Sequence, residues 1–376
     1  MNDEALPEFD RVDGAPHPRE TQILLGQAQA EASFLEAYNS GKIHHGWLIT
    51  GPRGVGKATL AWRIARFLLA TPAPDTGGMF DDAPADATSL DIPADHPVAR
   101  RIAVLSEPGL FLLRPAWDEK KKRFKQGITV DEARALKGFF NFSATDGGRR
   151  VVIVDSADDM NVSAANALLK FLEEPPADVT ILLVSHQPSQ LLPTIRSRCR
   201  ELRCSSMSAS DMAQAMTNAG STDHGDAAAM AELSGGSVGE AVRLANLDGM
   251  RTYSEIVALF ATLPRLDRQM ALKLAESAVG AKNAPRFEQL LRLMDLFLAR
   301  TARTGISGPP LVEAAKGEAE VLKRLAPTPD SGRKWAELQQ ELSGRARHGK
   351  AVNLDPAALI LDMVFKINEM AARLAA

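Results

Sequence analysis

The fold of this 376-residue chain is decided by one stretch, Trp47-Leu48-Ile49-Thr50-Gly51-Pro52-Arg53-Gly54-Val55-Gly56-Lys57. Its first four residues predict a short buried strand, and apolar residues recur at helical spacing after the lysine. Residues 51–57 fit the pattern Gly-x-x-x-x-Gly-Lys, which between a strand and a helix indicates a phosphate-binding P-loop. Backbone N–H groups and the helix N-terminus would surround phosphates there. A glycine-rich turn without a ligand is the alternative.

Three further apolar runs predict strands of the same sheet, at residues 110–113, 151–154 and 181–184. The run at 151–154 reads Val-Val-Ile-Val, and such continuous runs are typical of parallel strands buried on both faces. Helical patterns lie between the runs. Strands that alternate with helices predict an α/β fold with a parallel, doubly wound sheet.

The pattern along the chain predicts four regions. Residues 1–18 are acidic and proline-rich without an apolar segment, which predicts a disordered lead-in rather than a signal peptide. Residues 19–205 form the predicted nucleotide-binding core, with an irregular insertion at 71–98. Strand patterns stop after it, so we expect a helical lid at 206–250 and an all-α domain at 251–376.

Composition restricts the classes of partner and compartment. The net charge of −3 argues against a chain that holds DNA unaided. The two cysteines, Cys199 and Cys204, match no zinc-ligand spacing and suit a reducing, cytoplasmic compartment. No stretch approaches the ~20 apolar residues of a membrane span. The sequence therefore predicts no zinc and no membrane partner.

The candidate nucleotide-binding residues are those of the P-loop, the start of its helix, and one acid at a strand end. They are Gly51, Pro52, Arg53, Gly54, Val55, Gly56, Lys57, Ala58, Thr59 and Asp155. Lys57 would reach the outer phosphates of ATP or ADP. Asp155 follows the run at 151–154, where a P-loop protein places its Walker B acid, although it could also be a strand-end turn residue.

Two positions around this site lack the groups that hydrolysis needs. A hydroxyl that binds Mg²⁺ normally follows the lysine, but Ala58 stands there, and Thr59 is turned away by about 100°. Ser156 follows Asp155 where many ATPases carry a glutamate general base. Asp158 and Asp159 are expected to cap the next helix. We therefore expect nucleotide binding with poor Mg²⁺ binding and weak or absent hydrolysis.

Three motifs further along the chain carry a family resemblance. Residues 163–176 read S-A-A-N-A-L-L-K-F-L-E-E-P-P, residues 182–185 read L-L-V-S, and residues 192–199 read L-P-T-I-R-S-R-C. Together they resemble the clamp-loader branch of the AAA+ ATPases. The resemblance covers residues 20–245, and the helical tail agrees with the collar domain of that family.

The resemblance implies one catalytic role and a set of partners. In the family, the arginine of the S-R-C motif completes the ATP site of a neighbouring subunit as an arginine finger, and that role falls to Arg198. The alternative is an arginine that only pairs with local carboxylates. The implied partners are the gamma/tau and delta subunits of a clamp loader and, through the complex, the sliding clamp and primed DNA.

The resemblance leaves the type of subunit open between two readings. Motor subunits of the gamma/tau type have a complete P-loop, an Asp-Glu pair and a lid arginine, whereas this chain has Ala58, Ser156 and Gly239. These departures favour a largely non-catalytic subunit, and a gamma/tau-like motor is the alternative. An unrelated nucleotide-binding scaffold is a third, weaker reading.

The region after the P-loop helix also departs from the family. Many relatives carry a four-cysteine zinc module there, which this chain lacks. A basic tip at residues 120–125 lies in that region and predicts a hairpin. Its cations could contact DNA phosphates, although such a run more often faces solvent. The pair His44-His45 has no partner spaced for a metal site and is expected to be structural.

Overall fold

A computed structural model describes residues 8, 11–71, 86–125, 127–141, 148–218 and 227–375, without the side chains of residues 281 and 351. Half of the predicted insertion at 71–98, namely residues 72–85, and the first part of the predicted lead-in lie outside these residues. The chain forms two compact units. The first comprises Met1–Gly220 with Ser237–Gly239, and the second comprises Ser221–Gly236 with Glu240–Ala376. The predicted lid at 206–250 therefore spans the division between the two units.

In the described part of the chain, the strands belong to the first unit. They are β1 (Gly46–Thr50), β2 (Leu110–Leu113), β3 (Trp117–Asp118), β4 (Arg123–Phe124), β5 (Arg150–Val154), β6 (Val179–Ser185) and β7 (Arg200–Arg203). Five of them form a parallel sheet in the order β2-β5-β6-β1-β7, and β3 pairs with β4 as an antiparallel hairpin. The four predicted core strands and the predicted hairpin are confirmed.

The edge strand β7 escapes sequence analysis. It reads Arg-Glu-Leu-Arg, and of its four residues only Leu202 is buried. An edge strand exposes one side to solvent, so it carries no continuous apolar run that the sequence would show.

Helices cover both faces of the sheet. Those of the first unit are α1 (Ala28–Asn39), α2 (Lys57–Ala70), α3 (Pro97–Ala103), α4 (Val130–Asn141), α5 (Val162–Glu173), α6 (Pro193–Arg196) and α7 (Ala209–Asn218), with 3₁₀ turns at Ala157–Asp159 and Pro188–Gln190. One hydrophobic core contains Phe34, Trp47 and Trp62, and a second contains Leu136 and Leu168. The doubly wound α/β arrangement is thus confirmed.

The N-terminal segment departs from the predicted lead-in. Residues 11–18 form turns and irregular backbone, and the His17 ring is fully buried, with its centroid 6.0 Å from that of Trp62. The ordered part of the chain therefore begins before residue 19. The helix predicted from Glu20 begins only at Ala28, because Gly26 adopts a left-handed φ of +71°.

The second unit is helical throughout its described part. Its helices are α8 (Ala227–Ser234), α9 (Val238–Asn246), α10 (Gly249–Ala261), α11 (Arg268–Glu276), α12 (Ala284–Ser307), α13 (Glu318–Leu325), α14 (Pro329–Ala351) and α15 (Pro356–Ala375), with a 3₁₀ turn at Ala281–Asn283. The predicted apolar faces at 290–298 and 359–364 are buried, and Asp355 caps α15 by accepting a bond from the Ala358 N–H. None of the helices described could cross a membrane.

A buried ionic network ties α8 to the C-terminal helices. The Glu318 carboxylate is fully buried and accepts bonds from Arg300 Nε at 2.6 Å and the Tyr253 hydroxyl at 2.5 Å. Arg300 also donates to Glu232 of α8 at 2.7 Å. A buried charge costs several kcal/mol unless it is paired, so this network holds the four segments in one arrangement.

Candidate functional site

The candidate nucleotide site lies where three parallel strands end. Thr50, the last residue of β1, pairs in register with Ser185 of β6, and Val154 of β5 pairs with Leu183. The P-loop, Asp155 and the segment after Ser185 therefore leave the sheet at the same edge. In open α/β sheets, ligands bind outside this carboxyl edge.

The P-loop backbone needs its glycines. Gly54 and Gly56 adopt left-handed φ angles of +77° and +101°, which disfavour side chains with a Cβ. At Gly51, a Cβ would lie 2.3 Å from the Cys204 carbonyl oxygen. The loop then passes directly into α2 at Lys57. The sequence pattern and the backbone agree on a P-loop conformation.

Gln27 fixes the P-loop from outside the motif. Its side chain is buried, and Nε2 donates to the carbonyl oxygens of Val55 at 3.0 Å and Ser205 at 2.8 Å. Its Oε1 accepts from the Ser205 N–H at 3.0 Å. The amide thereby joins the loop to the segment after β7. Sequence analysis missed this residue, because no motif marks a glutamine that lies 28 residues before its partner.

Lys57 is turned into its own loop. Its ammonium donates to the carbonyl oxygen of Gly51 at 2.7 Å and to that of Pro52, and only 3% of the residue is exposed. Burial lowers the pKa of Lys57 to about 8, although the nearby charges of Asp155 and Asp158 act in the opposite direction. A phosphate at this site would have to replace both carbonyl contacts.

Gly239, where the resemblance leads us to expect the lid arginine of a motor subunit, contacts the P-loop through its backbone. Its N–H donates to the Gly54 carbonyl oxygen at 3.1 Å. A Cβ at Gly239 would lie 3.3 Å from the Gly54 Cα, which is tighter than normal packing. The missing side chain therefore allows a backbone contact that a larger residue would disturb.

Asp155 and Ser156 follow β5 and are both buried. The Ser156 hydroxyl donates to Asp159 at 3.1 Å, so it is engaged in a local turn. That Ser156 does not replace a glutamate base stays a prediction.

The prediction that Asp158 and Asp159 cap the next helix is wrong. Asn161 caps α5, with its side-chain oxygen accepting from the Ala164 N–H at 2.8 Å. Asp158 instead accepts bonds from the Ser185 hydroxyl at 2.7 Å and from the His186 N–H. It thus joins the end of β5 to the end of β6, because its position four residues past the strand faces the neighbouring strand rather than α5.

His186 is a second residue that sequence analysis missed. Burial, and next the positive charge of Lys57, lower the pKa of the imidazole to about 4. The ring is therefore neutral at physiological pH and adds no charge to the site. Its position directly after β6, at the carboxyl edge of the sheet, is the signal that could have marked it.

The remaining predicted residues of the site are placed as follows. Pro52 and Arg53 are exposed at the loop tip, and Val55 is fully buried beneath it. Ala58 packs against the core of the first unit, so its position presents a methyl group where a Mg²⁺-binding hydroxyl would stand. Thr59 is half-buried on the next position of α2.

Arg198 lies two residues after α6, and its contacts are with α5 and α6. Its Nη2 is 3.0 Å from the Glu173 carboxylate at the end of α5, and Nη1 donates to the Thr194 carbonyl oxygen at 3.1 Å. The Arg198 side chain is 37% exposed and that of Glu173 is 48% exposed. The local carboxylate partner that the alternative reading requires is thus present. Because exposed ion pairs contribute at most about 1 kcal/mol, this pair leaves Arg198 available to other partners.

The two cysteines carry no visible chemistry. Burial raises the pKa of Cys199 to about 12 and that of Cys204 to about 11, so both thiols stay protonated at neutral pH. Within the described ranges, no group of three or more His, Cys, Asp or Glu residues is arranged to hold a metal ion.

Comparisons with known proteins agree with this geometry. A family model described as "DNA polymerase III, delta subunit" matches residues 26–208. A Pseudomonas aeruginosa protein, "DNA polymerase III subunit delta'", is 42% identical over 160 residues, which cover 43% of this chain and 43% of the relative. The Escherichia coli protein of the same name is 32% identical over 167 residues, or 44% of each chain. The chain thus spans less than half the length of the curated relatives it matches.

Two more distant similarities involve gamma-type subunits. A gamma/tau subunit of DNA polymerase III from Mycobacterium tuberculosis is 29% identical over 181 residues, covering 46% of this chain and 27% of the relative. A solved structure of a gamma-subunit-related protein from Thermotoga maritima covers 90% of this chain and 99% of its own, with 18% identity and a TM-score of 0.39. That score is too low to add to the assignment. Over residues 26–208, this chain is therefore similar to the delta and delta' subunits of DNA polymerase III.

Proposed function

We propose that this chain is a delta-prime subunit of a bacterial clamp loader, which hydrolyses little or no ATP itself and presents Arg198 to the ATP site of a neighbouring motor subunit. One observation carries the proposal. The guanidinium of the S-R-C motif is 37% exposed at the surface of the first unit, whereas Lys57, the cation of the local P-loop, is 3% exposed and bonded to its own loop.

The local site favours binding over hydrolysis. The loop N–H groups and the N-terminus of α2 are suited to phosphates, and Lys57 would add its charge once it left the Gly51 and Pro52 carbonyls. ATP or ADP therefore fits the chemistry of the loop. The methyl group of Ala58 offers no ligand to Mg²⁺, and Ser156 is bonded to Asp159, so neither group supports the transfer step.

Arg198 would act by stabilising charge. The phosphoryl group that leaves ATP spreads negative charge over its oxygens, and a guanidinium aimed at them lowers the barrier. To reach a neighbouring site, Arg198 would exchange its exposed contact with Glu173 for the more highly charged γ-phosphate. That exchange is favourable, because charge-assisted bonds from arginine to phosphate are among the strongest in proteins.

The proposed setting is a cytoplasmic hetero-oligomer. Its other members would be gamma/tau and delta subunits, with the helical residues 251–376 acting as the collar and 206–250 as the lid. The sliding clamp and primed DNA would be the substrates of the complex. Support comes from the match of residues in the AAA+ region to both delta' and gamma/tau proteins.

The test uses a loader assembled with its own gamma and delta subunits, in which only the motor site next to this chain can hydrolyse ATP. We expect Arg198→Ala to lower ATP turnover at that site by about 10³-fold, the lower end of arginine-finger effects. The matched control is Arg196→Ala, which removes an exposed arginine two residues away and should leave turnover unchanged. Turnover within twofold of the wild-type loader in the Arg198→Ala variant would contradict the proposal.

The same experiment separates the alternative function, an ATP-hydrolysing motor subunit of the gamma/tau type. The motor alternative is supported by the P-loop glycines, which adopt the left-handed φ angles that the loop needs. A motor would show robust turnover in the purified chain, and Lys57→Ala would abolish it. We expect background turnover from the purified chain and a change below about threefold in the assembled loader with Lys57→Ala.

A further inference from the structure

The hairpin of β3 and β4 is a small, well-anchored projection of the first unit. Trp117 pairs with Phe124 and Asp118 with Arg123, and a further bond from the Lys125 N–H to the Ala116 carbonyl oxygen extends the pairing. The rings of Trp117 and Phe124 meet edge to face with centroids 5.0 Å apart. This aromatic pair stabilises the hairpin on one side.

The tip of the hairpin has a defined backbone. Asp118 comes directly after Trp117. One of its carboxylate oxygens accepts bonds from the N–H groups of Lys120 and Lys121, both at 3.1 Å. Lys122 completes the turn with a left-handed φ of +48°. Side-chain bonds to turn N–H groups of this kind fix the direction of the chain. The lysine side chains are therefore carried on a shaped turn.

The base of the hairpin is tied to α4. Lys125 Nζ lies 2.6 Å from the Glu132 carboxylate. Burial would raise the pKa of Glu132, but the bonds from Lys125 and Thr129 outweigh it and hold that pKa at about 2. The carboxylate is thus ionised, and Lys125 is committed to the anchor rather than to the tip.

The other four cations of the tip outnumber the two carboxylates beside them, Asp118 and Glu119. Lys120, Lys121, Lys122 and Arg123 are all exposed. In the described part of the chain, none of them forms an ion pair with a carboxylate. The whole chain has a net charge of −3, so four consecutive cations at one projection are a strong local exception. Like charges at adjacent positions repel, and an external polyanion would relieve that repulsion.

We propose that this tip, residues 120–123, binds the phosphate backbone of double-stranded DNA directly. Duplex DNA carries one negative charge per about 1.7 Å of its axis, so a tip of four cations meets several phosphates at once. Three of the four are lysines, which act as point charges and suit contacts that position a protein without reading sequence. The contact is therefore independent of base sequence and sensitive to salt.

An acidic protein surface is the competing partner, and the tip does not favour it. Stable protein interfaces have an apolar or aromatic centre. No large exposed hydrophobic side chain lies among the described residues of the hairpin, where Trp117 and Phe124 are half-buried against each other. This proposal is separate from the proposed function, in which DNA is reached through the complex.

The first test measures binding of the full chain to a fluorescent 30-base-pair duplex by anisotropy at several salt concentrations. We expect the variant K120Q/K121Q/K122Q/R123Q to reduce the slope of log K against log salt by about two to four, since each phosphate contact contributes about 0.9. At low salt its affinity should fall by at least tenfold. The control K42Q/K137Q/K170Q/R203Q removes the same four charges from exposed positions elsewhere and should keep the wild-type slope.

The second test measures the fluorescence of Trp117, which lies in the hairpin itself. Trp47, Trp62 and Trp335 are fully buried, so Trp117 is the tryptophan that a neutral quencher such as acrylamide can reach. We expect duplex DNA to protect this fluorescence from quenching in the wild-type chain and in the control variant. Protection should disappear in the K120Q/K121Q/K122Q/R123Q variant, and Trp117→Phe should remove the quenchable signal.

Three outcomes would overturn the proposal. The first is no measurable binding to the duplex at low salt. The second is an equal reduction of the slope of log K against log salt in both four-charge variants, which would mean that binding depends on the total charge of the chain rather than on the tip. The third is tighter binding of poly-glutamate than of DNA with the same protection of Trp117, which would assign the tip to an acidic protein. Circular dichroism of the variants would show that each is folded, so a loss of binding reports the tip.

Discussion

Two cations of the first unit, Lys57 and Arg198, belong to nucleotide-site motifs and lie in opposite environments. Lys57 is 3% exposed, and its pKa is lowered to about 8 by burial. Arg198 is 37% exposed and pairs with Glu173, which is itself 48% exposed. The first cation points into its own loop, and the second stands at the surface.

The difference shows which cation can act on a phosphate at low cost. Lys57 must give up two carbonyl contacts inside the protein before it can bind another group. Arg198 must give up an ion pair of a kind that contributes at most about 1 kcal/mol. This difference supports the proposed role of Arg198 at a site outside the chain. Three variants test this contrast.

The largest expected effect comes from Arg198→Lys in the assembled loader with one competent motor site. We expect turnover to fall by about 10²-fold or more, because an ammonium keeps the charge but loses the planar, two-pronged donor geometry of the guanidinium. Single-turnover ATP hydrolysis measures the effect. Turnover near that of the wild type would show that a positive charge at 198 is sufficient for activity. The donor geometry of the guanidinium would then have no part in it.

The second effect is a pH dependence of ADP affinity in the purified chain. Lys57 has a pKa of about 8 in the free chain, so its charge is present below pH 8 and is lost above it. A bound phosphate raises that pKa. Binding above pH 8 therefore requires proton uptake, and affinity should fall by up to about tenfold per pH unit between pH 8 and 9.5. Calorimetric titration measures it.

Lys57→Met is the control for this pH dependence. It should bind ADP more weakly and with an affinity that does not change over the same range. His186 cannot produce the effect, because its pKa of about 4 leaves the ring neutral throughout. An affinity in the wild-type chain that is constant from pH 7 to 9.5 would mean that Lys57 does not contact the phosphates.

The smallest expected effect is that of Glu173→Gln. Both partners of the Arg198–Glu173 pair are more than a third exposed, so the free energy of unfolding should change by less than about 1 kcal/mol. Loader turnover should rise, and by less than threefold, because Arg198 loses a weak competitor. Thermal unfolding and the single-site loader assay measure the two quantities. A tenfold loss of turnover would instead make Glu173 a required part of the neighbour's site.

Local patterns made the frame of the first unit predictable. Strand β1 and the P-loop follow from residues 46–57, because apolar runs and glycine spacing report the backbone directly. The hairpin followed from Trp117 and Ile128 flanking a charged tip, and the cap at Asp355 from its proline neighbour. In each case the residues that determine the structure are adjacent in the chain.

Contacts between distant segments could not be predicted in this way. Gln27 bonds to Ser205 across 178 positions, and Asp158 bonds to Ser185 across 27. Each is a polar side chain whose partner is chosen by the sheet order rather than by sequence spacing. His17 is similar, because the residues around it resemble a disordered segment, whereas its ring is buried and lies beside the distant Trp62.

In the candidate site, too, local motifs identified residues, whereas their contacts with distant segments needed the structure. The P-loop residues and Asp155 were identified by motif, and the structure gathers them at one edge of the sheet. The role proposed for Arg198 rests on the resemblance, whereas its contact with Glu173 required coordinates. A motif names which residues take part, but it does not say whether a cation points inward or outward.

The backbone contact between Gly239 and Gly54 has a consequence for how such a chain can change over generations. A single substitution to arginine at 239 would place a Cβ 3.3 Å from the Gly54 Cα and disturb the P-loop before the guanidinium could be useful. A complete set of the groups that ATP hydrolysis uses would also need a hydroxyl at 58 and a carboxylate at 156. A side chain at 239 therefore requires the P-loop backbone at Gly54 to shift by a few tenths of an ångström, so changes at these positions are coupled through the loop.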